Sequence, residues 1–315
     1  MFTVKHPGVF VGVDLYNITR CKILNSHLSS SEIAQDKINY ITGGFFMLNL
    51  THTKLSAGLK RPVRILHITD VHLTYANEKD TPHHHCLMEK RFQTFYKEGD
   101  CPPFTPKEYF EQAIVLAKEE NALLVCTGDA IDIHTNGNVE IFKEIVKGED
   151  LMFSPGGHEH QRVCVRTMEE PYPYWETVRP QLESELAPFD LYFESRIIGG
   201  LNIITADNSM DFFPRRTLEA FKKELEKGLP VLVFSHDPIW DSILNLKAPI
   251  HPNVRLTAED YRYSHEMIDL LLHHPLVLAT VCGHGHCFEE RVIDGKTHYM
   301  TAGLFKGQAR MLEIC

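Results

Sequence analysis

Five short segments hold the residues whose types and spacing could do chemistry: Asp70-Val71-His72, Gly128-Asp129-Ala130-Ile131-Asp132, Pro155-Gly156-Gly157-His158-Glu159, Ser235-His236-Asp237 and Gly283-His284-Gly285-His286. Each follows an apolar run of strand type. In an extended chain, alternation places Asp70 and His72 on one side, and the same holds for His284 and His286. Carboxylate and imidazole together suit borderline divalent ions such as Zn, Mn and Fe. A single carboxylate can bridge two ions, and Asp129 sits where such a bridge is needed. Two ions about 3.5–4 Å apart can polarise a phosphoryl group and generate a hydroxide at neutral pH. Taken singly, each segment has a plain explanation. D-x-H is common by chance, Gly-Asp after a strand is usually a turn, and an isolated histidine is more often a surface or satisfied core residue. Their occurrence together, each at a strand end, points to a metal centre.

The elements that must position these segments alternate from Arg61 onward. Val63–Ile68, Ala122–Cys126, Val231–Phe234 and Val277–Val281 read as short apolar strands. Pro106–Asn121 has helical spacing, with Phe110, Ala113, Ile114 and Ala117 on one face. A second helix is marked by Leu218, Phe221 and Leu225, beginning near Pro214 and stopping at Gly228. The polar, His- and Asp-bearing segments fall at the C-terminal ends of the strands, the edge where layered α/β folds bind ligands. Residues 1–60 differ. Val9–Val13 and Phe45–Leu50 read as strands without chemistry, so 1–60 is taken as an N-terminal β extension and 61–315 as the catalytic domain.

The whole-chain numbers exclude several functions. A net charge of −10 gives no general attraction to nucleic acid or an anionic membrane. With 43% hydrophobic residues the chain can bury a sizeable core. The start lacks the basic region and apolar run of a signal peptide, and no stretch approaches a membrane-spanning helix, so a cytoplasmic location is expected. The cysteines form no CxxC pair, and Cys126 and Cys282 read as reduced, buried thiols.

The motif order resembles the calcineurin-like metallophosphoesterases, which carry D-x-H, G-D, G-N-H-[DE], a lone His and G-H-x-H. The resemblance spans Asp70 to His286. It implies an α/β fold, a four-layer α-β-β-α sandwich, here with the N-terminal β extension. It implies two divalent ions (Mn, Fe or Zn). The first would be held by Asp70, His72, Asp129 and His286, and the second by Asp129, His236, His284 and the Asn of G-N-H. Gly157 stands at that Asn position, so the second ion loses a donor and is expected to be the weaker. Water, substrate or a side chain such as His160 would fill the gap. His158 matches the catalytic histidine, the general acid to the leaving oxygen. Asp132, three residues past Asp129, would orient it and raise its pKa. Gly-Asp-Ala-Ile-Asp and Ala206-Asp207-Asn208-Ser209 look closest to the bacterial cyclic-nucleotide phosphodiesterase branch.

The reading is an enzyme, a phosphatase or phosphodiesterase acting on a small phosphorylated substrate such as a nucleotide. A metal-bound hydroxide would attack phosphorus with His158 assisting. The rival is a non-catalytic metal-binding scaffold of the same fold. Gly157 favours that rival, and the retained His158 and ligand positions oppose it. A nuclease is disfavoured by the acidic balance and by the lack of an interleaved basic and aromatic groove. His83-His84-His85 reads as a solvated loop, with a lid as the sharper alternative. Phe92, Phe95, Tyr96 and Phe104 read as a small satellite core or the lining of a substrate entrance. Pro171–Trp175 reads as packing.

Overall fold

The computed structural model describes residues 38–39, 48–161, 175–240 and 257–315. The expected strand at Val9–Val13, the first part of Phe45–Leu50 and nearly all of Pro171–Trp175 lie outside the described residues. The chain divides into two units, Met1–Ala34 and Gln35–Cys315. Everything described belongs to the second.

Two six-stranded sheets form the centre. The first has the order β1-β2-β12-β3-β4-β5, with β1 (Ile38–Asn39), β2 (Asn49–Leu55), β12 (Gln308–Ile314), β3 (Val63–Ile68), β4 (Leu123–Thr127) and β5 (Leu151–Ser154). The second has the order β10-β11-β9-β8-β7-β6, with β10 (Glu289–Ile293), β11 (Lys296–Met300), β9 (Val277–Cys282), β8 (Val231–Phe234), β7 (Leu201–Ala206) and β6 (Phe193–Ile198). β3, β4 and β5 run parallel, as do β7, β8 and β9. Their C-terminal ends therefore share one edge in each sheet. β2 comes from the segment assigned to the N-terminal extension, and it joins the first sheet parallel to β12.

Alternation along the strands builds the layers. Val63, Ile65, Val125 and Met152 of the first sheet meet Ile203, Leu232, Phe234 and Val281 of the second in a shared buried core. The opposite face of the first sheet (Leu66, Ile68, Leu124, Phe153) packs on α2 (Pro106–Glu119), α3 (Asn136–Val146) and α4 (Trp175–Glu185) through Phe110, Phe142 and Leu182. That of the second (Ile204, Val231, Val233) packs on α5 (Arg215–Leu225) and α6 (Ala258–His273) through Phe221, Met267 and Leu271. The result is the expected α-β-β-α sandwich. The four strands predicted from Arg61 onward fall within one residue of those observed, whereas β2 runs to Leu55, five residues past the expected end at Leu50, and Pro214 caps α5 at its start. Cys126 and Cys282 are buried and reduced, as expected.

One predicted loop is a helix. His83-His84-His85 lies in the first turn of α1 (Pro82–Glu98), where Thr81 accepts a hydrogen bond from the His84 N–H and Pro82 occupies the first position. A Ser/Thr cap followed by Pro is a helix start, and it outweighs the polar character of the His run.

The two sheets are also tied by a buried cation. Arg310, on β12, is 1% exposed. It donates to Thr53 on β2, to Met300 O (3.1 Å) on β11 and to Thr301 Oγ1 (3.3 Å), with Glu290 on β10 at 3.3 Å. Replacing Arg310 with Met strands these acceptors, each costing about 1–3 kcal/mol when buried and unpaired, part of which relaxation recovers. Urea unfolding should show a loss of about 2–4 kcal/mol. A loss under about 0.5 kcal/mol, the range of ordinary surface changes, would remove Arg310 as the tie.

Candidate metal centre

Four of the five segments place their first functional residue two positions beyond a parallel strand: Asp70 after β3, Asp129 after β4, His236 after β8 and His284 after β9. The fifth, His158, opens a single 3₁₀ turn (His158–His160) after β5. The D-x-H and H-x-H segments are not extended, as alternation had suggested. Asp70, His72, Asp129, His284 and His286 have φ of 50°, 53°, 49°, 70° and 53°. The left-handed region costs a non-glycine residue roughly 1–2 kcal/mol, and such strain persists only where its surroundings enforce it. Here backbone bonds do so, from Asp70 N to Gly128 O (3.0 Å), His72 N to Asp129 O (2.8 Å) and Gly283 N to His236 O (3.0 Å). Gly128 sits at φ 75° with Gly156 N only 2.1 Å from where a Cβ would be. Any side chain there would push two site loops apart.

The structure brings the six expected metal residues and His158 into three overlapping groups: Asp70, His72 and His286; His72, Asp129 and His158; and Asp129, His236 and His284. Asp129 is common to two of them. Asp129 Oδ2 lies 3.2 Å from His236 Nε2 and 3.9 Å from His72 Nε2. Asp70 Oδ1 lies 3.2 Å from His286 Nε2, and His72 Nε2 lies 3.1 Å from His286 Nε2.

Hydrogen bonds on the far side of each group fix which atom faces inward. His236 Nδ1 donates to Thr127 O at 2.7 Å. Its Nε2 is buried and has no hydrogen-bond partner. Asp70 Oδ2 accepts from Thr69 Oγ1 (2.8 Å) and His284 N (2.9 Å), while its buried Oδ1 makes no hydrogen bond. Each of these two atoms meets a charged neighbour at 3.2 Å, Asp70 Oδ1 the His286 ring and His236 Nε2 the Asp129 carboxylate, without hydrogen-bond geometry, and both are donor atoms that an ion would occupy. The donor set fits a borderline divalent metal.

Of the residues that support the site, Glu98, Lys306 and Arg91 were not singled out from the sequence. Glu98 Oε1 lies 2.9 Å from His286 Nδ1, and Lys306 Nζ lies 3.2 Å from the same oxygen. Carboxylate support of this kind orients a metal-binding histidine. Phe95 stacks on the His72 ring, with centroids 4.0 Å apart. Arg91 grips Asp132 with two bonds of 2.6 and 2.7 Å. The signal for all three was helical: Arg91, Phe95 and Glu98 stand at i, i+4 and i+7, one face of α1. Reading α1 as a loop hid it. Phe95, expected in a satellite core or lining a substrate entrance, packs on the His72 ring of the site. Glu159 accepts from the backbone N–H of Gly156, Asp129, Ala130 and Ile131 (2.7, 3.0, 2.6 and 3.2 Å), clasping two loops together. Burial and the neighbouring Asp129 charge push its carboxyl up to about 7.

Asp132 stands where it can orient His158. Its Oδ1 is 3.0 Å from His158 Nδ1 and 3.1 Å from His72 Nδ1, and its carbonyl accepts from His158 Nδ1 at 2.6 Å. Burial pushes the Asp132 carboxyl up, yet Arg91, His158 and His72 together hold it well below the usual carboxylate range. Burial alone would lower His158, but Asp129 and Asp132 outweigh it and raise the ring to about 9. His286 behaves alike: burial opposes, and Asp70 and Glu98 prevail, again reaching about 9. His284 falls to about 4 through burial and the facing His236.

Gly157 has no donor to offer. The expectation that His160 replaces it fails, because His160 Nδ1 bonds Gly156 O (3.1 Å) and its Nε2 is engaged by Arg179 Nη1 (3.1 Å).

A family model described as calcineurin-like phosphoesterase matches residues 63–288. The chain belongs to that family of metallophosphoesterases. It is similar to a protein of Arcobacter nitrofigilis described as a probable glycerophosphodiester phosphodiesterase, with 30% identity over 175 residues, covering 54% of this chain and 58% of that protein. The match therefore spans less than two thirds of that relative. Solved structures of similar fold include a dimetal phosphatase from Danio rerio (TM-score 0.46, 14% identity, 78% of this chain and 88% of that one). Another is a putative 5'-nucleotidase from Staphylococcus aureus (TM-score 0.40, 10% identity, 77% of this chain and 49% of that one). Among the described residues, no helix is long and apolar enough to cross a membrane.

The raised histidines make metal uptake pH-dependent. His286 holds a proton below about pH 9 in the metal-free protein, and an ion must expel it to bind. Apparent affinity should therefore rise with pH, about tenfold per unit for each proton released, and level off above about pH 9. Calorimetric titration of the metal-free chain in buffers of different ionisation enthalpy would measure the protons released. Affinity flat between pH 6 and 8 would contradict it.

Proposed function

We propose that the chain is a metal-dependent hydrolase of small phosphodiesters. One ion is held by Asp70, His72, Asp129 and His286, and the other includes Asp129, His236 and His284, with Mn, Fe or Zn as candidates. The observation that carries this reading is the convergence of two buried donor atoms outside any hydrogen bond of good geometry, Asp70 Oδ1 and His236 Nε2, on three overlapping groups of carboxylates and imidazoles. When bound, such ions polarise a phosphoryl oxygen and lower the pKa of water.

The chain's own residues supply positioning and the proton. His158 donates from Nδ1 to Asp132 O, which leaves Nε2 as the ring's free end, 4.0 Å from Asp129 Oδ2. In the metal-free protein, against the effect of burial, Asp129 and Asp132 raise its pKa to about 9; Asp132 stays at its side when an ion takes Asp129, and favours the protonated form a general acid needs to protonate a leaving oxygen. Asp132, locked by Arg91, keeps that ring in place. Phe95 covers one face of His72 and keeps water from it.

The diester assignment follows the description of the Arcobacter relative as a probable glycerophosphodiester phosphodiesterase. Among the described residues beside the site, Arg91 is paired with Asp132 and Lys306 with Glu98.

With Mn added, bis(4-nitrophenyl) phosphate should be cleaved faster than 4-nitrophenyl phosphate, and a chelator should abolish both. A preference for the monoester would overturn the diester assignment, and full metal content without hydrolysis would favour the scaffold reading. The variant His158→Ala should keep its metal content and lose about 10²–10⁴-fold in kcat on a diester with an alkyl leaving group. Unchanged turnover on that substrate would remove His158 as the acid.

A further inference from the structure

The second group of donors is one short at Gly157, yet a further buried carboxylate lies against two of its histidines. Asp237, directly after His236, is 3% exposed. Its Oδ1 lies 3.4 Å from His284 Nδ1 and 3.9 Å from His236 Nε2. Donors each about 2.1 Å from a shared ion lie about 3.0 Å apart at right angles and about 3.4 Å apart at the tetrahedral angle. The 3.4 Å spacing matches the tetrahedral value, the 3.9 Å spacing lies within the about 4.2 Å that two such ligands on opposite sides of an ion would show, and His236 Nε2 is buried outside any hydrogen bond of good geometry.

The carboxylate is held ready. Asp237 Oδ2 accepts from Asp211 N at 3.1 Å. A single amide side chain pins the Asp237 backbone on both sides: its N–H donates to Asn208 Oδ1 (3.0 Å), and its carbonyl accepts from Asn208 Nδ2 (2.7 Å). Oδ1 is left toward the two histidines. No arginine or lysine among the described residues ion-pairs with Asp237; the basic groups within 4.0 Å are His236, at 3.9 Å, and His284, at 3.4 Å. A buried carboxylate flanked by two imidazoles, rather than by an arginine or lysine, would have its charge balanced by an ion held among them.

Resting on the two-ion reading above, we infer that Asp237 is a protein ligand of the second ion, standing in for the amide donor missing at Gly157. The second site then has two carboxylates, Asp129 and Asp237, and two imidazoles, His236 and His284. A carboxylate brings a negative charge that an amide does not. The second ion is accordingly not the looser one that Gly157 by itself implies, and the oxygen-rich set suits Mn or Fe.

The test is calorimetric titration of the metal-free full chain with Mn, with bound metal counted by mass spectrometry. The parent should take up two ions. Asp237→Ala should keep one tight ion and weaken the other by at least about 100-fold, since even outer-shell partners are worth about 10–100-fold. Asp237→Asn preserves shape and should weaken it by about 10–100-fold; it also decides the matter should the alanine variant fail to fold. Gly157→Asn in the Asp237→Ala background should recover the second ion, because a Cβ at Gly157 meets only Ser209 O, at 3.4 Å. Binding of the second ion within about threefold of the parent in either Asp237 variant overturns the inference and leaves the two-ion reading standing. A parent chain that binds no ion at all overturns both.

Discussion

Three carboxylates, Asp70, Asp129 and Asp132, are buried within one small volume, and the surrounding structure answers the electrostatic cost of putting them there. Ionised groups removed from water need opposite charge and hydrogen bonds close by. Asp132 obtains them from Arg91, His158 and His72. Asp70 and Asp129 obtain them from His286 and His236 and from the N–H groups of His284 and His158. Asp70 Oδ1 and His236 Nε2 stay outside any hydrogen bond of good geometry, and there an ion would sit.

That constraint explains the backbone around the site. Five of the gathered residues hold positive φ, which neither a strand nor a helix would impose. The sandwich supplies the force. Parallel strands end abruptly at one edge of each sheet, their cores fixed by Ile65, Val125, Phe234 and Val281, and the chain has two residues in which to turn its side chains inward. Glu159 then closes the arrangement from beneath with four backbone bonds, so the Asp129 loop and the His158 loop move as one piece.

The outer support comes from α1, an element of little apparent chemistry in sequence. It places a guanidinium, an aromatic ring and a carboxylate on three different members of the site: Arg91 on Asp132, Phe95 on His72 and Glu98 on His286. The acid–base character of His158 and His286 follows from this arrangement. Each ring lies between two carboxylates, and the same burial that would discharge an isolated histidine strengthens those attractions.

The sequence by itself determined the sandwich, its main strands and the residues that meet at the centre. Apolar period-two runs such as Val63–Ile68 specify buried strands locally, and the five polar segments repeat one relation to those strands. What only the tertiary structure decided are contacts between residues distant in the chain that carry no local signal. Glu98 meets His286 across 188 positions and Arg91 meets Asp132 across 41. His160 lies three residues from Gly157, yet its ring is turned away to Gly156 O and Arg179. Asp237 looked like the plain neighbour of a histidine, and only the meeting of the β8 and β9 edges sets its carboxylate against His284. Strand pattern is a property of consecutive residues; the direction in which a loop side chain points is fixed by the other loops packed against it.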